Sequence, residues 1–538
     1  MGKVVSLNEF GIKSFTFFVV PFYYENDDWN TIHEEKLDKW VPLEKSLYNK
    51  EDVLYPYIMD LFKQGDQTNK THLDIYQFNS KDLGPSSQLF VDRILGKKSV
   101  AVIAKNSGAQ KNPKCISFTL KNTDNFSPHI FISSSAKIGI LTFAVELESD
   151  STIDDLKFLN YYLQKRDETG KYQCVCLRPD KQEELENVED ARQEACNIPE
   201  LWKKDKWGKK VCTQKTTRDR VDYVCWDVND FVNCLLGTMG KQEDNKPRIR
   251  YFSKDRIHTF TFCSLDDPND VLKEENVVPD IIRLSRSVVD SYLLPFDLMV
   301  QQGAILKTYE NIFFSSATEG TTMFCIAKPE NESFIKNIHN TFNRQYLIIY
   351  ILVLLQRYTL LSLERMMVKI ERKKEEPVTT YSDKKSNDEL WNLIDIICRI
   401  KVNCYYTDVS IYSHHSQFYQ HCCKNLHVPE TFAEINDKID LLKMTTDRRI
   451  KELMEEEQQY MKKEQQEAER RHQILSIVVA ILTIVQVMQA AYELIKPDEK
   501  DAFALWFSIG VGVVAFLLFL YLMWKDLLDF YSNIKNNH

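Results

Sequence analysis

Three sets of residues in this chain have types and spacings that can do chemistry. The first is SHHSQFYQHCCKNLH, which gathers His414, His415, His421, Cys422, Cys423 and His427. Imidazole and thiolate are zinc donors, but this spacing matches no closed zinc pattern. The stretch reads as a polar helix end with two ordinary thiols, and no metal is assigned to it. The second set runs from Trp202 to Arg220 and holds Trp202, Lys203, Lys204, Trp207, Lys209, Lys210, Arg218 and Arg220, with Arg248 and Arg250 after a gap. Cations interleaved with indole rings can hold a phosphate and stack a base. The competing reading is a solvated basic loop, balanced by the acidic stretch Asp180–Glu194 nearby.

The third set is polar residues in apolar surroundings. Gln473–Tyr492 is 20 residues without a charge, and it contains Ser476, Thr483, Gln486 and Gln489, with Glu493 just beyond. At about 100° per residue these five fall within an arc of roughly 140°. A polar stripe on a membrane helix faces protein or water, not lipid. Either it lines a water-filled pore in a symmetric oligomer, or it bonds across a helix interface. No GxxxxGK[ST], GxGxxG, GxSxG or HExxH occurs, and 15 glycines in 538 residues leave little room for phosphate loops. No catalytic constellation emerges, so an enzyme is not expected.

The elements that position these residues follow from hydropathy. Ala502–Trp524 is a second uncharged run, of 23 residues. About 20 apolar residues cross a bilayer core, so the two runs predict a transmembrane hairpin and a lipid bilayer as partner. Lys462, Lys463, Arg470 and Arg471 precede the first span, and Lys525 and Lys535 follow the second. The connector holds only Lys496 and Lys500 among four acidic residues. The positive-inside rule then puts both termini in the cytoplasm, at the inner (cell) membrane. Ala504, Ser508 and Gly512 give the second span a small-residue packing face.

Before the first span, no Gly or Pro interrupts Glu430–Ile495, which predicts one helix of 66 residues, roughly 100 Å long. Ser333–Lys374 is a second long helix, with Arg357 near the centre of its apolar run. A charge there favours a core helix of the soluble region over a membrane span. Leu390, Leu393, Ile394 and Ile397 start another helix, expected to reach His427. Upstream of residue 330 the chain alternates strand-like and helical segments, so the class is α/β or α+β. Strands are expected at Ser14–Tyr24, Ser99–Lys105, Cys115–Leu120, His129–Ser133, Ile138–Glu146, His258–Cys263, Asn311–Ser315 and Thr321–Ala327. Helices are expected at Leu54–Lys63 and Thr152–Lys165, and a hairpin turn at Glu319-Gly320.

The resulting division is 1–330, a cytosolic α/β domain; 331–428, long helices; 429–473, a stalk helix; 474–495, the first span; 496–501, an outer connector; 502–524, the second span; and 525–538, a tail. Composition agrees with a folded domain, at 43% hydrophobic and 27% charged. The net charge of −9 argues against a nucleic-acid binder, so no DNA or RNA partner is expected. Thirteen scattered cysteines, an odd number, read as reduced thiols in a cytosolic region.

This layout resembles the CorA-type metal-ion transport family, with the residue-level likeness confined to Glu430–Lys525. The resemblance implies a funnel-shaped homo-oligomer, a pentamer, whose first span lines the pore and whose cytosolic funnel controls gating. A divalent cation is then the candidate permeant ion. The family's Gly-Met-Asn triplet is absent, and Tyr492-Glu493-Leu494-Ile495-Lys496 stands in its place. Magnesium selectivity and filter residues are therefore not carried over. The chain is also similar to divergent CorA-like membrane effectors of type III CRISPR defence. There a nucleotide second messenger, including an S-adenosylmethionine–AMP conjugate, acts on the channel. That likeness implies an antiviral role and gives the basic, Trp-containing segment a ligand. The alternatives are a divalent metal-ion transporter without the usual filter, and a membrane-tethered adaptor or sensor with no pore.

Overall fold

Runs rich in Phe, Ile, Val and Thr recur through the first 330 residues, and most of the described strands join one large sheet. The computed structural model describes residues 12–24, 29, 40–43, 53–59, 73–78, 94–103, 114–123, 126–134, 136–148, 151–165, 173–177, 202–204, 210–212, 216–217, 220–221, 223–236, 249–253, 257–267, 272, 274–289, 303–374 and 406–494, with isolated positions between 506 and 524. The strands are β1 (Phe15–Tyr24), β2 (Trp40–Pro42), β3 (Leu73–Phe78), β4 (Lys98–Ile103), β5 (Lys114–Leu120), β6 (His129–Ser133), β7 (Ile138–Leu147), β8 (Gln173–Leu177), β9 (Trp202–Lys204), β10 (Lys210–Cys212), β11 (Thr216–Thr217), β12 (Arg220–Val221), β13 (Tyr223–Trp226), β14 (Ile249–Tyr251), β15 (His258–Asp266), β16 (Ile305–Tyr309), β17 (Ile312–Ser316) and β18 (Gly320–Ala327). The helices are α1 (Ile153–Leu163), α2 (Val228–Leu235), α3 (Glu274–Arg286), α4 (Glu332–Thr341), α5 (Leu347–Lys374), α6 (Ser413–Asn425) and α7 (Val428–Leu494).

Fourteen of the described strands form one sheet, whose main path is β13-β8-β4-β5-β7-β1-β15-β18-β17-β16. Its pairs are antiparallel except β15–β18, which is parallel. Side chains alternate across the sheet, so β1 feeds two cores. Phe18 stacks on Phe143, which meets Phe231 of α2. The same core takes Leu156 of α1 and Ile281 of α3. Phe15 and Phe17 face the other way, and Phe15 meets Phe262 and Phe342. On that side Phe260 stacks on Phe342 and Tyr350, while Phe314 packs on Phe418 of α6. The mixed α/β class is thus a sheet with helices on both faces.

Close approach demands glycine at two points. A Cβ on Gly139, opposite Phe22, would lie 2.1 Å from that ring. One on Gly320 would lie 2.1 Å from the Thr259 hydroxyl. The expected hairpin turn is present: Ala317 and Gly320 exchange backbone hydrogen bonds around Thr318-Glu319.

The eight expected strands are all present, within a few residues of their expected ends. α1 begins where expected, at a capping box formed by Thr152 and Asp155. The helix expected from Leu54 is a single turn, Pro56–Met59, among the described residues. The helix expected over Ser333–Lys374 is α4 and α5 joined by a π-helical turn, Phe342–Tyr346. One expectation is corrected. No helix runs unbroken from Leu390 to His427, because residues 406–412 are irregular and Ser410 bridges Leu54. Residues 390–405 lie outside the described residues. The reason is local: Asp408 and Ser410 satisfy backbone N–H groups of Val409 and Tyr412 outside any helix.

The chain divides into two compact units, 1–439 and 440–538. Residue 330 is not a boundary between them. α5 packs on α6 and on the sheet, within the first unit.

Candidate functional site

The chemistry-bearing residues separate into three places, and the strongest anomaly is on α7. That helix is continuous for 67 residues, as its lack of internal Gly predicts, with its one Pro at the second position. Its apolar part is bare: Ile474, Leu475, Val479 and Leu482 are 61%, 63%, 54% and 56% exposed. Soluble proteins rarely leave so large an apolar patch uncovered. Ser476, Thr483 and Gln486 are exposed on the same helix, within an arc of about 80° at 100° per residue. The Thr483 hydroxyl donates to the Val479 carbonyl at 2.8 Å, so its proton is satisfied within the helix. Gln489 and Glu493 lie on the same helix, and their side chains are outside the described residues.

Two helical stretches among the described residues are long and apolar enough to cross a membrane, Glu332–Val368 and Met454–Val487. They differ in burial. The most apolar window of the first is 83% buried within the chain, and that of the second is not buried at all. The first is the expected core helix, and its central charge has a partner: Arg357 Nη1 donates to the Leu426 carbonyl at 2.6 Å. The expected second span, 502–524, lies mostly outside the described residues. Trp506, Tyr521 and Trp524 within it are helical and exposed.

The basic segment is placed by its backbone. β9 and β10 pair as a separate two-stranded sheet, with Trp202 opposite Cys212, Lys203 opposite Val211 and Lys204 opposite Lys210. Arg220 pairs with Thr217 in a second small hairpin. Trp207, Lys209, Arg218 and Arg248 lie outside the described residues. Arg250 is elsewhere, on β14, opposite Tyr23 of β1. The Arg365 guanidinium sits 4.0 Å over that Tyr23 ring. Sequence reasoning did not single out Tyr23 or Arg365, because only the β1–β14 register sets Tyr23 opposite Arg250 and only the packing of α5 sets Arg365 over Tyr23.

The histidine–cysteine stretch is a packed helix. His415 is buried edge-on against Tyr346, with ring centroids 4.7 Å apart, and its Nδ1 is 3.4 Å from the Ser410 hydroxyl. Burial, then the neighbouring His414, pushes its pKa down to about 3. His421 is lowered to about 4 by burial and then Lys424. Cys422 meets the Ser316 hydroxyl at 3.3 Å, and burial pushes the Cys423 thiol up to about 12. His427 stands past the end of α6 with φ of 55°. Among the described residues, no three His, Cys, Asp or Glu side chains group to hold a metal ion.

No known protein family matches this chain, and no curated protein matches it.

Proposed function

We propose that the chain is the subunit of an oligomeric membrane ion channel, gated from its cytosolic sheet domain. One observation carries this: an unbroken helix whose terminal apolar run is uncovered among the described residues and striped with Ser476, Thr483 and Gln486. Apolar side chains call for lipid, and the stripe calls for water or a second copy. An oligomer with the stripe turned inward meets both demands. In this reading 473–492 lines the pore, 502–524 returns the chain to the cytoplasm, and both termini are cytoplasmic at the cell membrane. A pentamer and a divalent permeant cation follow from the CorA resemblance.

The likeness to the CorA-like membrane effectors of type III CRISPR defence supports a defence role, with a nucleotide second messenger such as an S-adenosylmethionine–AMP conjugate as the opening signal. The Trp–Lys segment 202–220 is its proposed contact. A ligand opens a channel only by binding the open state more tightly than the closed one.

Replacing Gln486 by Leu tests the reading. Single-channel recordings in planar bilayers are expected to show altered conductance for Gln486→Leu and none for Val485→Leu. Identical currents from both variants and the parent chain would assign the stripe to a helix interface, and no current from any of the three would reduce the hairpin to an anchor.

A further inference from the structure

Arg357 is a charge inside an otherwise apolar stretch of α5, and its two neighbours are as informative as it is. Gln356 Oε1 accepts the Tyr419 hydroxyl of α6 at 2.9 Å. Arg357 Nη1 donates to the carbonyl of Leu426, where α6 ends, at 2.6 Å. The Tyr358 hydroxyl shares a hydrogen bond with Nε2 of His258, the first residue of β15. Three successive residues of one helix thus grip α6, the corner after α6, and the sheet. Two turns further along α5, Glu364 meets Lys438 of α7 at 2.5 Å, and Lys438 also meets Glu434 at 2.7 Å.

The corner between these grips is strained. His427 has φ of 55°, a conformation that a residue with a Cβ adopts at a cost. Its carbonyl accepts both the backbone N–H (3.1 Å) and the hydroxyl (2.7 Å) of Thr431. Ile435 and Ile439 are buried beyond it, while Leu441 is 60% exposed. The docked part of α7 is therefore short, about three turns. A short docked segment, one strained residue and one charged clasp together hold the start of α7 by few contacts, the kind of element that opens locally.

We propose that Arg357 is the latch of this element: it holds the α6–α7 corner closed, and its release frees Val428–Ile439 from α5. Arg357 is a positioning residue, since it acts through the Leu426 carbonyl. A shift at the start of β15 reaches the latch through the adjacent Tyr358. The inference uses contacts inside the 1–439 unit only and does not need the channel reading. Where that reading holds, the latch is the point at which the sheet acts on the pore helix.

Hydrogen exchange on the full-length, detergent-solubilised chain tests it. Losing a charged hydrogen bond, Arg357→Met is expected to speed exchange of amides 432–439 by about ten- to hundredfold. Amides of β1 and β15 are expected to keep the parent rates. His427→Gly relieves the strain and is expected to slow the same amides about fivefold. The proposal is overturned if Arg357→Met leaves 432–439 unchanged, or speeds β1 and β15 equally. It is overturned as well if His427→Gly exchanges as fast as the parent or faster.

Discussion

Buried histidines give the sheet unit a pH dependence that can be worked out residue by residue. Burial pushes His129 down to about 4, and burial followed by the Arg357 guanidinium pushes His258 down to about 3. Both stay neutral in the folded chain until the pH falls below those values, whereas an unfolded chain protonates them near 6.5. Above pH 6.5 neither state carries the proton, and stability is flat. As the pH falls from 6.5 towards 4 the unfolded state gains protons that the folded state refuses, so stability drops. Each such group contributes about 1.4 kcal/mol per pH unit once well below 6.5. Denaturant unfolding followed by Trp fluorescence at pH 7 and pH 5 is expected to show this loss, with a shallower slope for His129→Gln. Equal stability at both pH values would contradict the burial of these rings.

Single residues also show where sequence reasoning stops. Arg357 was legible as a misfit in an apolar helix, but its partner is a carbonyl 69 positions away. Gly139 is one glycine among 15 until the β1–β7 register sets it against Phe22.

At the scale of elements, legibility followed the strength of the pattern. The eight expected strands are runs rich in Ile, Val, Phe and Thr, and β1, β7, β15, β17 and β18 among them are buried almost throughout; such runs are distinctive. The missed strands are weaker. β3 reads LDIYQF, with Asp74 and Gln77 breaking its apolar run, and β8 is five residues, QCVCL. α3 was missed because Pro279 lies inside it and reads as a breaker. The helix expected across 390–427 failed at 406–412, where side chains of Asp408 and Ser410 cap the backbone locally. α7 succeeded because only uninterrupted helix formers can run 67 residues. Its continuity is itself testable. Proline in a helix interior costs about 3 kcal/mol and removes a backbone hydrogen bond. Ala468→Pro is expected to raise hydrogen exchange around residues 464–472 and to leave the sheet unit's unfolding midpoint unchanged. Parent-like protection there would mean that the two sides of residue 468 are independent helices.

For the whole molecule, the functional reading rests on uncovered surface. The second unit, 440–538, includes an apolar helix that no part of the chain covers among the described residues. Under the channel proposal, copies of the chain and lipid supply the cover. A native-mass measurement on the detergent-solubilised assembly is then expected to give five copies of the 63.2-kDa chain. A monomer would reduce the hairpin to an anchor. The site itself was only partly legible. The stripe follows from helical periodicity, but the Trp–Lys segment is fixed in register only at its paired strands, and Arg250 belongs to a different part of the sheet.

The most direct test is ion flux through proteoliposomes containing the full-length chain, with insertion verified by protease protection of the 496–501 connector. The proposal predicts cation efflux that rises when an S-adenosylmethionine–AMP conjugate is added on the side of the sheet domain. Inserted protein that passes no ions, with or without that nucleotide, would contradict it.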